Sequence, residues 1–180
     1  MKVEVVPHDP MWREAFETES HRVTAALGSN IVAIHHIGST AIPNIYAKPV
    51  IDMLVEVRDI NNVDVRAAEM KSLGYEVMGE FGIPGRRYFR RYQKGCRTNQ
   101  IHVFRAGSDQ VIRHLAFRDY MRAHPEEAQL YGDLKRRLAT LHPDDPEAYM
   151  DGKDAFIKEI DRRAAQWTLS ASIQSRKDRL

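Results

Sequence analysis

Cysteine is nearly absent from this chain, which has one, Cys96, among its 180 residues. An intrachain disulfide is therefore impossible, and a chain without disulfides is typical of a reducing compartment. Long apolar runs are also lacking, since no segment approaches the ~18 apolar residues that a membrane span needs. The acidic residues between Glu4 and Glu19 are not typical of a signal peptide. We therefore expect a cytoplasmic protein without a membrane partner.

The chain also lacks a strong excess of charge of either sign. It has 27 Lys and Arg against 25 Asp and Glu, a formal net charge of +2, whereas a nucleic-acid-binding domain is typically strongly basic. We expect a small-molecule partner and no general binding of nucleic acid, while composition does not indicate the oligomeric state. The length suits one hydrophobic core. Residues 1–167 are predicted to form one domain, and residues 168–180 a polar, mobile tail without helical periodicity.

The hydrophobic pattern predicts an α+β fold with a mixed sheet of about five strands, flanking helices and a C-terminal three-helix segment. The predicted strands are residues 31–37, 49–57, 75–78, 87–93 and 100–104, with residues 96–99 as a hairpin turn. The predicted helices are residues 10–27, 63–73, 111–123, 125–141 and 146–167. The last two begin with proline, which favours a helix start.

An acidic residue, Asp52, lies inside an apolar strand, shortly after a Gly-Ser-Thr turn at residues 38–40. A charge buried in a strand is costly unless a partner compensates it, and the candidate partners are a metal ion, a lysine or a histidine. A glycine-serine turn offers backbone N–H groups to phosphates. Together these features indicate a site that handles phosphate.

The sequence HIGSTAIPNIYAKPVIDMLVEV at residues 36–57 contains this turn and strand. With FGIPGRRYFRR, IHVF, HLAFRDYMRAHPE, LYGDLKRRLA and YMDGKDAFI in the same order, it resembles the GrpB family over residues 3–164. That family is similar in fold to the nucleotidyltransferase superfamily. The resemblance implies a metal-dependent domain that binds a nucleoside triphosphate and transfers a nucleotidyl group to an unknown acceptor, with Mg²⁺ or Mn²⁺ as the divalent metal ion.

The resemblance also implies roles for particular residues. Asp52 and Ser39 are expected to be catalytic, with Asp52 as a metal ligand. The implied phosphate-binding residues are Gly38, Ser39, Thr40, Lys48, Arg86 and Arg87. Four residues that match family positions are expected on the far wall of the cleft, unless they are surface charges on helices: Arg118, Tyr131, Lys135 and Lys153.

One position departs from the nucleotidyltransferase pattern. The second carboxylate of that pattern would lie two residues after Asp52, where this chain has Leu54. Glu56 follows on the same strand face, but four residues of strand place it about 13 Å away, too far for metal ions ~3.5 to 4 Å apart. His102 is a candidate second ligand for a single metal ion. The alternative function is therefore a non-catalytic nucleotide- or anion-binding protein with a degenerate site.

Structural roles stay open for the same residues. His102 could be a strand histidine that is hydrogen-bonded to backbone, and the hydroxyl groups of residues 39 and 40 could simply stabilise a turn. The basic residues between Arg90 and Arg97 are predicted to be a solvated surface. For Asp52 the alternative is an internal ion pair with one of three cationic side chains: Lys48, Arg87 or His36.

Overall fold

Residues 2–177 form an α+β fold in which helices cover both faces of a five-stranded mixed sheet, as the sequence predicts. The computed structural model describes these residues, with side chains over residues 2–171. The strands are β1 (Ile31–Ile37), β2 (Ile51–Val57), β3 (Glu76–Val77), β4 (Arg87–Gln93) and β5 (Cys96–Arg105). The helices are α1 (Met11–Leu27), α2 (Asn61–Val65), α3 (Ala67–Ser72), α4 (Asp109–Ala123), α5 (Pro125–Leu141) and α6 (Pro146–Lys177), with 3₁₀ turns at Gly28–Asn30 and Ser39–Ala41.

The strand order is β1-β2-β5-β4-β3, with β2 and β5 parallel and the other neighbours antiparallel. This order places β2 at the interior of the sheet, where Asp52 lies between Ile37 of β1 and Gln100 of β5. The strand that precedes the Gly-Ser-Thr turn, β1, and the strand that contains Asp52, β2, are thus direct neighbours. The site forms where β1 ends and β2 begins.

Alternation along β2 separates its two faces. Ile51, Met53, Val55 and Val57 belong to the large core that includes Trp12 of α1 and residues of α2 and α3. Leu54 points to the opposite face, where it is fully buried against Phe104 and Val111. Asp52 shares the face of Leu54, because successive strand residues point in opposite directions.

Helices α4, α5 and α6 cover the face of the sheet on which Asp52 lies. Tyr131 of α5 and Ile160 of α6 pack against Ile42 and Ile45, which precede β2 in the chain. At the other end of α5, Leu138 and Tyr149 pack on Val3. Between these two apolar clusters a polar cavity remains open to the sheet.

Three predicted bounds were wrong. Residues 96–99 are part of β5, because the hairpin turns at Lys94 and Gly95, whose positive φ angles of 50° and 79° suit a two-residue turn. The helix predicted over residues 63–73 is divided into α2 and α3 at Arg66, which has φ −96° and ψ 13°. The third difference is α6, which continues past Trp167 to Lys177. Residues 178–180 of the predicted tail lie outside the described residues.

Candidate functional site

A cavity of about 250 Å³ lies between the start of β2, the start of β5, and helices α5 and α6. The chain before α1 completes its outer wall, where Lys2 and Glu4 flank the buried Val3. The polar side chains that line the cavity are Lys2, Glu4, Ser39, Lys48, Asp52, Cys96, Arg97, Gln100, Lys135, Tyr149 and Lys153. The structure therefore brings together the predicted residues Ser39, Lys48, Asp52, Lys135 and Lys153.

Gly38 fixes the position of the Asp52 carboxylate. A Cβ atom on Gly38 would collide with Oδ2 of Asp52, so only glycine allows the turn to approach the strand this closely. Its backbone, with φ 69° and ψ −171°, is also in a region that residues with side chains rarely adopt. The Gly-Ser pair thereby holds Ser39 and Asp52 side by side at the cavity.

Burial controls the charge of Asp52. It raises the pKa of Asp52 to about 7, against the opposing effect of Lys153 and Arg97. Lys135 and a hydrogen bond with Gln100 also lower this pKa, by less than burial raises it. Near neutral pH the carboxyl group is therefore close to the midpoint of its titration.

Lys135 is a buried amine without a hydrogen-bond partner. Only 2% of the residue is exposed, and its Nζ atom accepts or donates no hydrogen bond within residues 2–171. Burial, with the charge of Lys153 acting in the same direction, lowers the pKa of Lys135 to about 6, against the opposing effect of Asp52. An unpaired polar group in this position is costly, and the group becomes paired if an anion enters the cavity.

Two further lysines share one aromatic ring. Nζ of Lys48 lies 4.1 Å from the ring centroid of Tyr149, and Nζ of Lys153 lies 4.7 Å from it. Burial lowers the pKa of Lys153 to about 8, with Lys48 acting in the same direction. Cation–π contacts of this kind hold an ammonium group in place while leaving its other N–H donors free.

The lining of the cavity has an excess of positive charge. Near neutral pH four of its side chains are cationic, those of Lys2, Lys48, Arg97 and Lys153, and Lys135 becomes cationic when it takes up a proton. Two side chains, those of Glu4 and Asp52, are acidic. Lys2 and Glu4 are both exposed at the outer wall. A concave surface lined mainly by one sign of charge concentrates ions of the opposite sign. The arrangement is therefore suited to an anion.

The turn residues Ser39 and Thr40 have different roles. Ser39 lines the cavity near the Tyr131 hydroxyl group, where it opposes the rise in the pKa of Tyr131 that burial causes. Thr40 is buried away from the cavity, where Oγ1 donates a hydrogen bond to the carbonyl of Val50 and contacts Nε2 of His36 at 2.9 Å. Because its single donor is already used, the predicted phosphate contact of Thr40 does not fit the structure.

Arg86 and Arg87 lie outside the cavity, contrary to the prediction. Alternation along β4 directs Arg87 to the opposite face of the sheet, where it forms a bidentate ion pair with Asp64 at 2.6 and 2.7 Å. Arg86 is 6% exposed and donates hydrogen bonds to the carbonyls of Glu80 and Phe81. Arg86 therefore stabilises the loop before β4, and Arg87 connects β4 to α2.

Arg97 is the arginine that lines the cavity, although the sequence places it on a solvated surface. Its Nη2 atom donates a hydrogen bond to the Tyr92 hydroxyl at 2.8 Å. The register between β4 and β5 shifts here, because Asn99 pairs with Arg91 while Arg97 pairs with Tyr92. An extra residue of this kind changes the face to which a side chain points, and simple alternation does not predict it.

His102 does not share a metal site with Asp52. It pairs with Leu54, whereas Asp52 pairs with Gln100, and its Nδ1 atom faces a guanidinium nitrogen of Arg86 at 3.4 Å. Burial, with His114, Arg86 and Arg113 acting in the same direction, lowers the pKa of His102 to about 3. Among the side chains that the structure describes, no group of three or more His, Cys, Asp or Glu could hold a metal ion. Asp52 and His102 therefore do not form the shared Mg²⁺ or Mn²⁺ site that the sequence predicts.

Glu56, the other acid on the Asp52 face of β2, has a structural role. Oε1 of Glu56 contacts Nε2 of His35 at 2.8 Å, and its Oε2 atom accepts a hydrogen bond from the backbone of Gly107. Glu56 thus connects β1 to the turn before α4. Arg118, a predicted wall residue, instead binds Asp119 and the carbonyl of His36.

A repeated spacing in the sequence gives a physical reason for the predicted wall residues Lys135 and Lys153. Tyr131 precedes Lys135 by four residues in α5, and Tyr149 precedes Lys153 by four residues in α6. Residues four apart lie on one helix face, so each tyrosine and its lysine point the same way. Tyr149 and Gln100 were missed because neither is charged and neither stands out in its segment.

The fold defined by this sheet and these helices is nucleotidyltransferase-like. Terminal uridylyl transferase 4 from Trypanosoma brucei, solved with bound dUTP, superimposes with a TM-score of 0.53 at 11% sequence identity. The match covers 92% of this chain and 55% of that chain. At this level of identity the likeness shows the fold alone.

The family follows from sequence. The family model described as GrpB protein matches residues 2–163, so the chain belongs to the GrpB family. UPF0157 protein YqkA of Bacillus subtilis is 48% identical over 168 residues, which are 92% of this chain and 48% of that protein. The chain thus spans about half the length of this relative. The crystal structure of conserved protein GrpB from Enterococcus faecalis matches with a TM-score of 0.88 and 44% identity, covering 92% of this chain and 99% of that chain.

No helix within residues 2–177 combines the length and the apolar character needed to cross a membrane.

Proposed function

We propose that this protein binds the phosphate groups of a nucleoside triphosphate, or of another phosphorylated small molecule, in the cavity beside Asp52. The observation that carries the proposal is the Lys135 amine, which is buried, lines the cavity and has no hydrogen-bond partner among the described residues. A phosphate oxygen is the acceptor that would satisfy it, because charge-assisted hydrogen bonds to phosphate are short and strong.

The surrounding groups support phosphate over a single carboxylate ligand. Lys48, Lys153 and Arg97 contribute further positive charge, and the Ser39 hydroxyl adds a neutral donor. A single carboxylate would neutralise only one of these positive charges. A di- or triphosphate carries several negative charges and would neutralise more of them. The solved uridylyl transferase with bound dUTP has the same fold, which makes a nucleotide a reasonable ligand class.

The size of the cavity limits which part of the ligand it encloses. Its volume of about 250 Å³ lies below the roughly 300–1,000 Å³ of pockets that enclose a whole drug-sized ligand. The cavity therefore accommodates the phosphate groups, and the rest of a nucleotide lies outside it.

A second candidate function is transfer of a nucleotidyl group from the bound triphosphate to an acceptor. Asp52 favours this candidate, because a carboxyl group with a pKa of about 7 is suited to remove a proton from an acceptor hydroxyl near neutral pH. Leu54 favours binding without transfer, since it is buried in an apolar cluster where the fold's second carboxylate would lie. Release of pyrophosphate from the triphosphate distinguishes transfer from binding alone.

Calorimetric titration of the protein with ATP, CTP, UTP and tripolyphosphate tests the binding proposal. We expect Lys135→Met to weaken binding by at least tenfold, because it removes the buried donor while keeping a similar side-chain length. The matched control is Lys71→Met, at an exposed position on α3, which should bind like the wild type. A wild-type protein that binds none of these compounds, or a Lys135→Met variant with unchanged affinity, would overturn the proposal.

A further inference from the structure

We infer that the ammonium groups of Lys135 and Lys153 replace the divalent cations of a nucleotidyltransferase-like site, so that a phosphorylated ligand binds here as the free anion, without Mg²⁺ or Mn²⁺. The inference rests on the proposed function, because it specifies the ionic form of the ligand in the same cavity. It also differs from the metal-dependent site that the sequence predicts.

Two consecutive helices hold these ammonium groups in the same way. Nζ of Lys135 lies 4.3 Å from the ring centroid of Tyr131, one turn earlier in α5. Nζ of Lys153 lies 4.7 Å from the ring centroid of Tyr149, one turn earlier in α6. A ring face attracts a cation but accepts no strong hydrogen bond, so N–H donors remain for a ligand. Both lysines are buried, which fixes their positions before a ligand arrives.

The cavity offers few oxygen ligands to a divalent cation. In nucleotide sites Mg²⁺ is held by one or two carboxylates together with phosphates and waters, and here Asp52 is the buried carboxyl group of the lining while Glu4 is exposed. The charges of Lys153, Arg97 and Lys135 already act on that carboxyl group, because all three lower its pKa. The same three groups would repel a divalent cation beside it.

The fixed cations supply the charge that metal ions supply elsewhere. In phosphoryl-transfer sites, metal ions neutralise the phosphate oxygens. Besides the exposed Lys2, the side chains of Lys48, Lys153 and Arg97 line the cavity as positive groups, and Lys135 joins them when it takes up a proton. A phosphate chain that is already complexed with Mg²⁺ has less negative charge and therefore gains less from these groups than the free anion does.

Calorimetric titration with tripolyphosphate and with ATP, in EDTA and in excess Mg²⁺, tests this inference. We expect binding in EDTA, and affinity several-fold lower in Mg²⁺, because complexation reduces the charge of the ligand. Lys153→Met should weaken binding in EDTA by at least tenfold, whereas Lys71→Met should leave it unchanged. Melting curves of each variant without ligand confirm that it is folded.

A metal titration without ligand provides a second measurement. We expect Mn²⁺ or Mg²⁺ alone to leave the melting temperature of the wild type unchanged. Binding of tripolyphosphate or ATP that requires a divalent metal, or a metal-induced rise in melting temperature that Asp52→Asn abolishes, would overturn the inference while leaving the proposed function intact. Absence of binding in both EDTA and Mg²⁺ would overturn the proposed function together with the inference.

Discussion

The carboxyl group of Asp52 lies against the backbone of Gly38, in the space that the Cβ atom of any other residue would occupy. This contact joins the turn after β1 to the start of β2, and it places Ser39 and Asp52 on the same cavity wall. Because residue 38 has no side chain, the turn and the strand can approach closely enough to form one site. Substitution of the glycine tests this relationship directly.

We expect Gly38→Ala to lower the free energy of unfolding by about 3 kcal/mol or more. Its backbone conformation alone costs a residue with a side chain about 1 to 3 kcal/mol, and displacement of the Asp52 carboxyl group adds to this cost. The matched control is Gly28→Ala, because Gly28 has similar angles, φ 64° and ψ −146°, but open space around its Cβ position. Urea unfolding measures both losses. Equal losses would show that the contact with Asp52 does not constrain the turn.

Lys135 makes the stability of the protein depend on pH. Its pKa is about 6 in the folded protein, below the ordinary 10.5, so the unfolded chain binds more protons between these two values. The cost of burying this amine is therefore largest below about pH 6, and it disappears above about pH 10.5. The groups that act on it are Lys153 of α6 and Asp52 of β2, with Tyr131 on its own helix.

We therefore expect Lys135→Met to be more stable than the wild type near pH 6, by an amount that decreases as the pH approaches about 10. Guanidinium unfolding at a series of pH values measures this difference. Lys71→Met, at an exposed position, should differ from the wild type by a small amount that is independent of pH. A Lys135→Met variant that is less stable than the wild type near pH 6 would mean that the ammonium group is stabilised by a partner.

The elements of this fold were predictable where turn residues or a helix-start residue bound them. β1, β4 and α5 have their predicted bounds, Ile31–Ile37, Arg87–Gln93 and Pro125–Leu141, because Gly38 follows β1, Gly85 lies just before β4 and Pro125 begins α5. The end of α6 was missed because residues 169–171, which follow the predicted end of the helix, are exposed. An uncovered helix has no apolar face that periodicity could detect.

The site was predictable where one motif contains it. Ser39, Lys48 and Asp52 lie within a single segment and line one cavity. Arg97 was missed because the shift of register between β4 and β5 changes its face, and such a shift leaves no regular signal in the sequence. Arg87 was placed in the site because its charge suggested a contact with a ligand. Its actual partner is Asp64 of α2, and sequence alone does not show that these two residues meet.

Asp52→Asn distinguishes a structural ion pair from a desolvated carboxyl group. The folded pKa of Asp52 is about 7, above the ordinary 3.8, so the folded protein binds more protons between these values and its stability falls as pH rises through them. We therefore expect the variant to be at least as stable as the wild type at pH 8, and similar to it below about pH 4. It should bind tripolyphosphate more tightly, because one negative charge has been removed.

Thermal unfolding at pH 8 and below about pH 4, together with titration by tripolyphosphate, measures these effects. A variant that melts far below the wild type at pH 8 would identify Asp52 as a member of an internal ion pair, whose disruption costs roughly 3 to 5 kcal/mol when the pair is fully buried. Loss of pyrophosphate release from a nucleoside triphosphate, with binding retained, would instead assign Asp52 to catalysis of transfer.

Substitutions of Arg97 and Arg87 compare the observed cavity with the phosphate site that the sequence predicts, because Arg97 lines the cavity and Arg87 does not. We expect Arg97→Ala to weaken tripolyphosphate binding by roughly tenfold or more, because a charge-assisted hydrogen bond contributes about 1.5 to 3 kcal/mol. Arg87→Ala should leave affinity unchanged, because its guanidinium group binds Asp64 on the opposite face of the sheet. Calorimetric titration of both variants measures the difference. A larger loss for Arg87→Ala would return the phosphate site to the loop before β4, and equal losses would indicate a diffuse basic surface in place of a defined cavity.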